Sequence, residues 1–373
     1  MKNLILYIVL LSISAIFFAG CRNDHVEPDP VFQPTPYQIE IPPFFPTKVY
    51  VPEDNPITVE GVKLGRYLFY DGRIAGRASE GKYMSCSSCH KQENSFEIGL
   101  PRPHPMGLDG ISTPHTMLPL INLLWNPGHI NWNGSTAYIE SDVYAFITVP
   151  HECNSTHEKA VAAIRSIPMY PPMFKAAFGT EEVNMDRIAK AISQFVRTII
   201  SSNSKFDRYL RGEEQLTSQE LHGFVLFTTE EGADCFHCHG GDGNPLFTTH
   251  QFYNNGKDAV FTSQTDPRDR YSVTGESSMR GAYKATTLRN IELTGPYMHD
   301  GRFQTLDEVI DFYAHELVWS PYIDPLMHHI NNGGNQLTPN EKASLKAFLK
   351  TLTDTTLLTD PRYSRPADLP PGV

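Results

Sequence analysis

Apolar residues recur at helical spacing through much of the chain. Met185, Ile188, Ile192, Phe195, Val196 and Ile199 fall three or four apart, which predicts a helix with one buried face. Three more helices carry start signals. Thr217 and Glu220 form a capping box ahead of Leu221, Phe224 and Phe227. Thr305 and Glu308 repeat it ahead of Val309, Ile310 and Phe312. Thr338, Pro339 and Glu341 open a last helix bearing Leu345, Phe348, Leu349 and Leu352. Short apolar helical segments also occupy Leu64 to Phe69 and Phe224 to Phe227. Between these elements lie long stretches rich in Gly and Pro, notably 101–134 and 240–280. Loops of that length are uncommon unless they serve a function.

The N-terminus has a different pattern. Lys2 precedes an apolar run from Leu4 to Ala19, which is too short for a membrane span and fits the hydrophobic region of a signal peptide. The run ends in Phe18-Ala19-Gly20-Cys21, which resembles a bacterial lipobox with Phe18 where Leu is usual. The expectation is cleavage before Cys21 and a lipid on its sulfur, with an ordinary signal peptide as the alternative. Residues 22–56 hold nine prolines from Pro28 to Pro56 and read as an extended tether. The division expected is a signal peptide at 1–20, a tether at 21–55, domains at 56–205 and 206–355, and a tail at 356–373.

A hydrophobic content of 40% supports a packed core. The net charge of -11 argues against nucleic acid and favours a basic partner. Six cysteines are present. Cys21 is assigned to lipid, and Cys153 reads as a buried small hydrophobe. The other four form Cys86-Ser87-Ser88-Cys89-His90 and Cys235-Phe236-His237-Cys238-His239.

In such a motif two thiols one turn apart add to the vinyl groups of a haem, and the adjacent His binds iron. A redox dithiol or a zinc site would be the rivals for one copy. Two copies in an exported chain, without a four-cysteine zinc spacing, point to two haem c groups. Each motif follows an apolar helical segment. The fold class expected is therefore mainly α, with two tandem cytochrome c-like domains that each bind one haem covalently. Long loops wrapped around haem would gain from it the core they lack.

Two segments carry a more specific resemblance. Leu64-Gly65-Arg66-Tyr67-Leu68-Phe69-Tyr70-Asp71 leads into the first motif. Thr287 to Phe303 includes Gly295-Pro296-Tyr297-Met298-His299-Asp300-Gly301. Both resemble the bacterial dihaem cytochrome c peroxidase family, which includes MauG, over about 56–352. The resemblance implies a peroxide site at the first haem, held by His90, and electron entry at the second, held by His239.

It also implies further roles. Trp132-Asn133-Gly134 stands where the family has Trp-Asp-Gly, with Trp132 between the haems. Asp142 stands where Gln is usual, and Glu152 matches a distal-pocket glutamate. Peroxide must lose a proton from one oxygen and gain one on the other before its O–O bond breaks, and Glu152 is expected to shuttle it. Tyr313, fourteen residues beyond His299, is expected to be the second axial ligand at the second haem, with Met298 as the alternative. A phenolate would stabilise oxidised iron, whereas a thioether raises the potential. The family has a resting-state ligand to the first haem between the first motif and the Trp; His104 and His115 fall in that region, and neither aligns with it. Thr294 and Pro296 match carbonyls that hold a calcium ion, although Thr116 replaces the usual Asn.

The expected activity is reduction of hydrogen peroxide to water with electrons from a small donor such as cytochrome c. A MauG-like oxidase of a protein partner is the enzymatic alternative, and an electron-transfer dihaem cytochrome the non-enzymatic one. A periplasmic, lipid-anchored location is expected, and a homodimer is compatible with it.

Overall fold

Two crossed helix pairs, one in each half, frame the molecule. In the first half, α1 (Val59–Tyr70) is capped by the Thr58 hydroxyl, which accepts from Gly61 N. The helices α2 (Ile139–Thr148), α3 (His157–Arg165) and α4 (Tyr170–Phe178) lead to α5 (Met185–Arg197), which crosses α1. The crossing is close because Gly65 lacks a side chain. A Cβ there would lie 1.9 Å from the Ala191 carbonyl oxygen. In the second half, α6 (Lys205–Leu210) precedes α7 (Ser218–Phe227), and α8 (Phe236–His239), α9 (Tyr271–Thr274) and α10 (Leu306–His315) precede α11 (Pro339–Lys350). Helix α7 crosses α11 by the same device, since a Cβ on Gly223 would lie 1.9 Å from the Ser344 carbonyl oxygen. Both α1 and α7 lead into a Cys-x-x-Cys-His motif.

The structure is a computed structural model that describes residues 32–99, 104–241, 243–261 and 268–371. The signal peptide expected at 1–20 and the lipid site at Cys21 lie outside the described residues. Among the described residues the fold is mainly helical. Its one sheet is a two-stranded antiparallel ladder that pairs Phe252 with Lys284 and Tyr253 with Tyr283. No helix among them is long and apolar enough to cross a membrane.

The first half packs Leu64, Leu68, Phe69, Ile188, Ile192 and Phe195 into one core. The second half has a core of its own. There Phe206, Phe224, Phe227, Phe247 and Phe348 form a cluster with ring centroids 5.1 to 6.1 Å apart. Polar bonds join the halves. Asp354 accepts from Ser201 Oγ and from the amides of Ser202 and Asn203. Asn290 donates to Ser95 Oγ.

Two terminal segments differ from the reading of the sequence. From Pro34 to Asn55 the chain is a packed strap rather than a free tether. Tyr37, Ile39, Ile41, Phe45, Val49 and Val51 bed against a small core of Leu124, Trp125 and Leu246. The Tyr50 amide donates to Leu124 O, and Trp125 Nε1 donates to Pro46 O. The prolines dominate the composition, but the apolar residues between them find a surface to cover. The segment read as a tail, 356–373, also packs over its described residues, 356–371. Leu357, Tyr363 and Leu369 enter the first core, and Arg66 donates to the carbonyls of Ser364 and Pro361.

Candidate functional site

Each motif folds as a single tight turn that opens a cavity. In the first, Cys86–Ser88 is a 3₁₀ turn, and the His90 amide donates to Cys86 O. His90 Nδ1 donates to the Phe96 carbonyl at 2.8 Å. In the second, Cys235 opens α8, and His239 Nδ1 donates to the Thr286 carbonyl at 3.0 Å. A carbonyl can only accept, so each Nδ1 carries the ring proton, and each Nε2 lone pair is available to a metal. Burial pushes both imidazoles down to about 4, so they are neutral near pH 7, as a ligand must be. The four thiols are unpaired, and burial raises each of them.

The first cavity, of about 470 Å³, is lined by Phe69, Cys86, Cys89, His90, His115, Trp132, Asp142, Val143, Phe146 and Glu152. Asp142 Oδ1 accepts from Asn131 Nδ2 at 2.9 Å and from Thr136 Oγ1 at 3.0 Å, so it holds the loop that carries Trp132. Among the described residues no hydrogen bond reaches the Glu152 carboxyl. Its pKa is raised to about 8, chiefly by burial, with the Asp142 charge adding to the effect. His104 is turned away, with its ring nitrogens against the carbonyls of Thr113 and Asp300.

The second cavity, of about 210 Å³, is lined by Cys235, Cys238, His239, Asn255, Met298, Val309, Ile310 and Tyr313. Helix α10 starts where the sequence placed it, with the Thr305 hydroxyl accepting from Glu308 N. Val309 and Tyr313, one turn apart, face the cavity. Asn255 lies between the two expected ligands. Its Nδ2 donates to the Tyr313 phenol oxygen at 2.9 Å and lies 3.8 Å from Met298 Sδ. Burial raises the Tyr313 phenol, and the Asn255 bond opposes that. Thr294 and Pro296 line this cavity too. The Thr116 hydroxyl donates to the Met298 carbonyl.

Trp132 lines both cavities. Its Nε1 donates to Thr116 O at 3.0 Å, and its carbonyl accepts from Lys284 N at 2.8 Å. Lys284 also borders both, and burial lowers its pKa to about 8. Neither Lys284 nor Asn255 was found by motif. Lys284 stands in a two-residue strand and Asn255 in a loop, so only the fold brings them to the cavities.

Two cavities, each with a reduced thiol pair and a neutral histidine, fit a c-type protein with two haems. A family profile for di-haem cytochrome c peroxidase matches residues 59–215. The methylamine utilization protein MauG of Methylorubrum extorquens is 31% identical over 309 residues, 82% of this chain and 82% of its own. A cytochrome c551 peroxidase of Nitrosomonas europaea is 31% identical over 326 residues, 83% of this chain and 84% of its own. A solved MauG-like protein associated with microbial copper homeostasis superposes with a TM-score of 0.77 and 34% identity, over 88% of this chain and 99% of the other. The chain therefore belongs to the dihaem cytochrome c peroxidase and MauG family, whose members carry two c-type haems.

Proposed function

We propose that the protein reduces hydrogen peroxide to water with electrons from a small redox donor such as a cytochrome c. The observation that carries this reading is Glu152, a carboxyl with no hydrogen bond among the described residues, in the same cavity as His90. A pure electron carrier has no use for such a group. One peroxide takes two electrons and two protons to give two waters. The haems, held through Cys86, Cys89 and His90 and through Cys235, Cys238 and His239, supply the redox chemistry when bound. Glu152 takes a proton from one peroxide oxygen and returns it to the other. Asp142 holds the Trp132 loop and raises Glu152. Trp132, bordering both cavities, couples them.

Each haem would be held by its own cytochrome c domain, 56–205 and 206–355. Tyr313, steadied by Asn255, would be the second residue to hold the haem bound through His239, with Met298 as its competitor. A calcium ion at Thr294 and Pro296 would rest on their backbone carbonyls, since the Thr116 hydroxyl is already committed to Met298 O. The protein works on the periplasmic side, tied to a membrane through a lipid on Cys21. MauG-like oxidation of a protein partner is a second reading, favoured by Tyr313.

The test is steady-state peroxide turnover with a reduced small cytochrome, on wild type and Tyr313→Phe. Peroxide-dependent oxidation of the donor is expected, together with an altered spectrum of the second haem in the variant. No turnover would refute the peroxidase reading. An unmoved spectrum would remove Tyr313 as ligand and the case for the second reading with it.

A further inference from the structure

His237 lies inside the second motif, yet haem attachment needs only the two cysteines and His239. Its ring is held by other groups. His237 Nδ1 bonds to Asp234 Oδ1 at 2.6 Å, and its Nε2 lies 3.5 Å from Glu230 Oε1. His328 arrives from a distant loop, with Nδ1 3.4 Å from the other Asp234 oxygen. The two rings stand edge to face, 5.1 Å between centroids. One ligand atom each from Glu230, His237 and His328 falls within 4.8 Å of the other two.

We propose that Glu230, His237 and His328 bind one divalent first-row transition-metal ion, with water completing the shell. Two imidazoles and a carboxylate are the donors that zinc and copper(II) take, at ~2.0–2.2 Å from the metal. Closing from 4.8 Å to the spacing that such bonds allow needs only small side-chain movement. The side chains of Glu230 and His328 are 60% and 41% exposed and free to make it. The supporting shell is already in place. The Asp234 side chain, only 7% exposed, accepts from His237 Nδ1, which leaves Nε2 to face Glu230 and the ion. Metal-bound histidines are oriented by carboxylates in this way. His329 Nε2 donates to the Glu230 carbonyl at 2.8 Å and fixes the backbone there. Among the described residues, the ionic partners of Glu230 and Asp234 are imidazoles alone, so no lysine or arginine competes for the site. His328 and Asp234 also border the second cavity, so the ion would sit at its rim.

The site can be tested on tag-free protein with both haems in place, after treatment with a chelator. Copper(II) is titrated in and followed by electron paramagnetic resonance and calorimetry, with zinc as competitor. One copper per chain is expected, with nitrogen couplings from two imidazoles, displaced by excess zinc. His328→Ala should abolish saturable binding, and Asp234→Asn should weaken it roughly 10- to 100-fold. Haem absorbance checks that each variant is intact. If Asp234→Asn disturbs the haem, the exposed His328 and Glu230→Gln carry the test. Copper that binds without saturation, or that binds equally to wild type, His328→Ala and Glu230→Gln, would overturn the proposal. The cluster would then be a hydrogen-bonded histidine pair only.

Discussion

Glu152 shows how far a single residue can be read. The family resemblance pointed to it, but a resemblance says nothing about its charge. Burial raises it to about 8, so near neutral pH it keeps a proton that an exposed glutamate would have lost. To take a proton from peroxide it must first be a carboxylate. Turnover is therefore expected to rise with pH and to level off near the raised pKa. Glu152→Gln should erase that limb and slow turnover by roughly ten- to ten-thousand-fold, the usual span for an acid–base group. Rate–pH profiles on haem-replete protein check this, and a limb that survives in the variant would assign the proton to another group. Asp142 was legible only as a departure from the family pattern. Its hydrogen bonds to Asn131 and Thr136 give it a positional role.

At the scale of elements, the starts of helices were the most legible feature because capping is local. The Thr217–Glu220 and Thr338–Glu341 boxes both form. At Thr305 the pattern is modified, because Glu308 accepts from Gln304 N, one residue further back. The crossings were not legible. A glycine within a helix, such as Gly65 or Gly223, marks by itself only a mild weakness. In the fold each is the point where a neighbouring backbone carbonyl comes closest. Gly65→Ala or Gly223→Ala gains helix propensity but forces the pair apart. A net loss of about 1–3 kcal/mol is expected, as for overpacked cores. Chemical denaturation measures it, and a neutral or stabilising effect would show that the crossing yields easily.

At the scale of the molecule, the strap and the tail close around the helical frame. Phe45 packs on Trp125 at 5.1 Å and lies under the Arg289 guanidinium at 4.8 Å. Arg289 is itself fully buried and paired with Asp207 across two short bonds. Phe45 thus covers one face of a buried ion pair in the second half while belonging to a segment before the first. Phe45→Ala should cost about 3–5 kcal/mol, the usual range for a buried Phe. Its unfolding transition, followed by Trp fluorescence, should fall accordingly. A variant as stable as wild type would restore the reading of this segment as a tether.

Chemistry that depends on neighbours along the chain was determined by the sequence alone. The Cys-x-x-Cys-His turns, the helix caps and the mainly helical class all rest on contacts within a few residues. The tertiary structure decided what depends on distant segments meeting. It set Asn255 between Tyr313 and Met298, Lys284 beside Trp132 at the border of both cavities, and His328 beside His237. It also folded the proline-rich strap onto the body. Burial, proton affinity and ligand geometry are set by whatever surrounds a group in space, and a linear pattern records only what adjoins it in the chain.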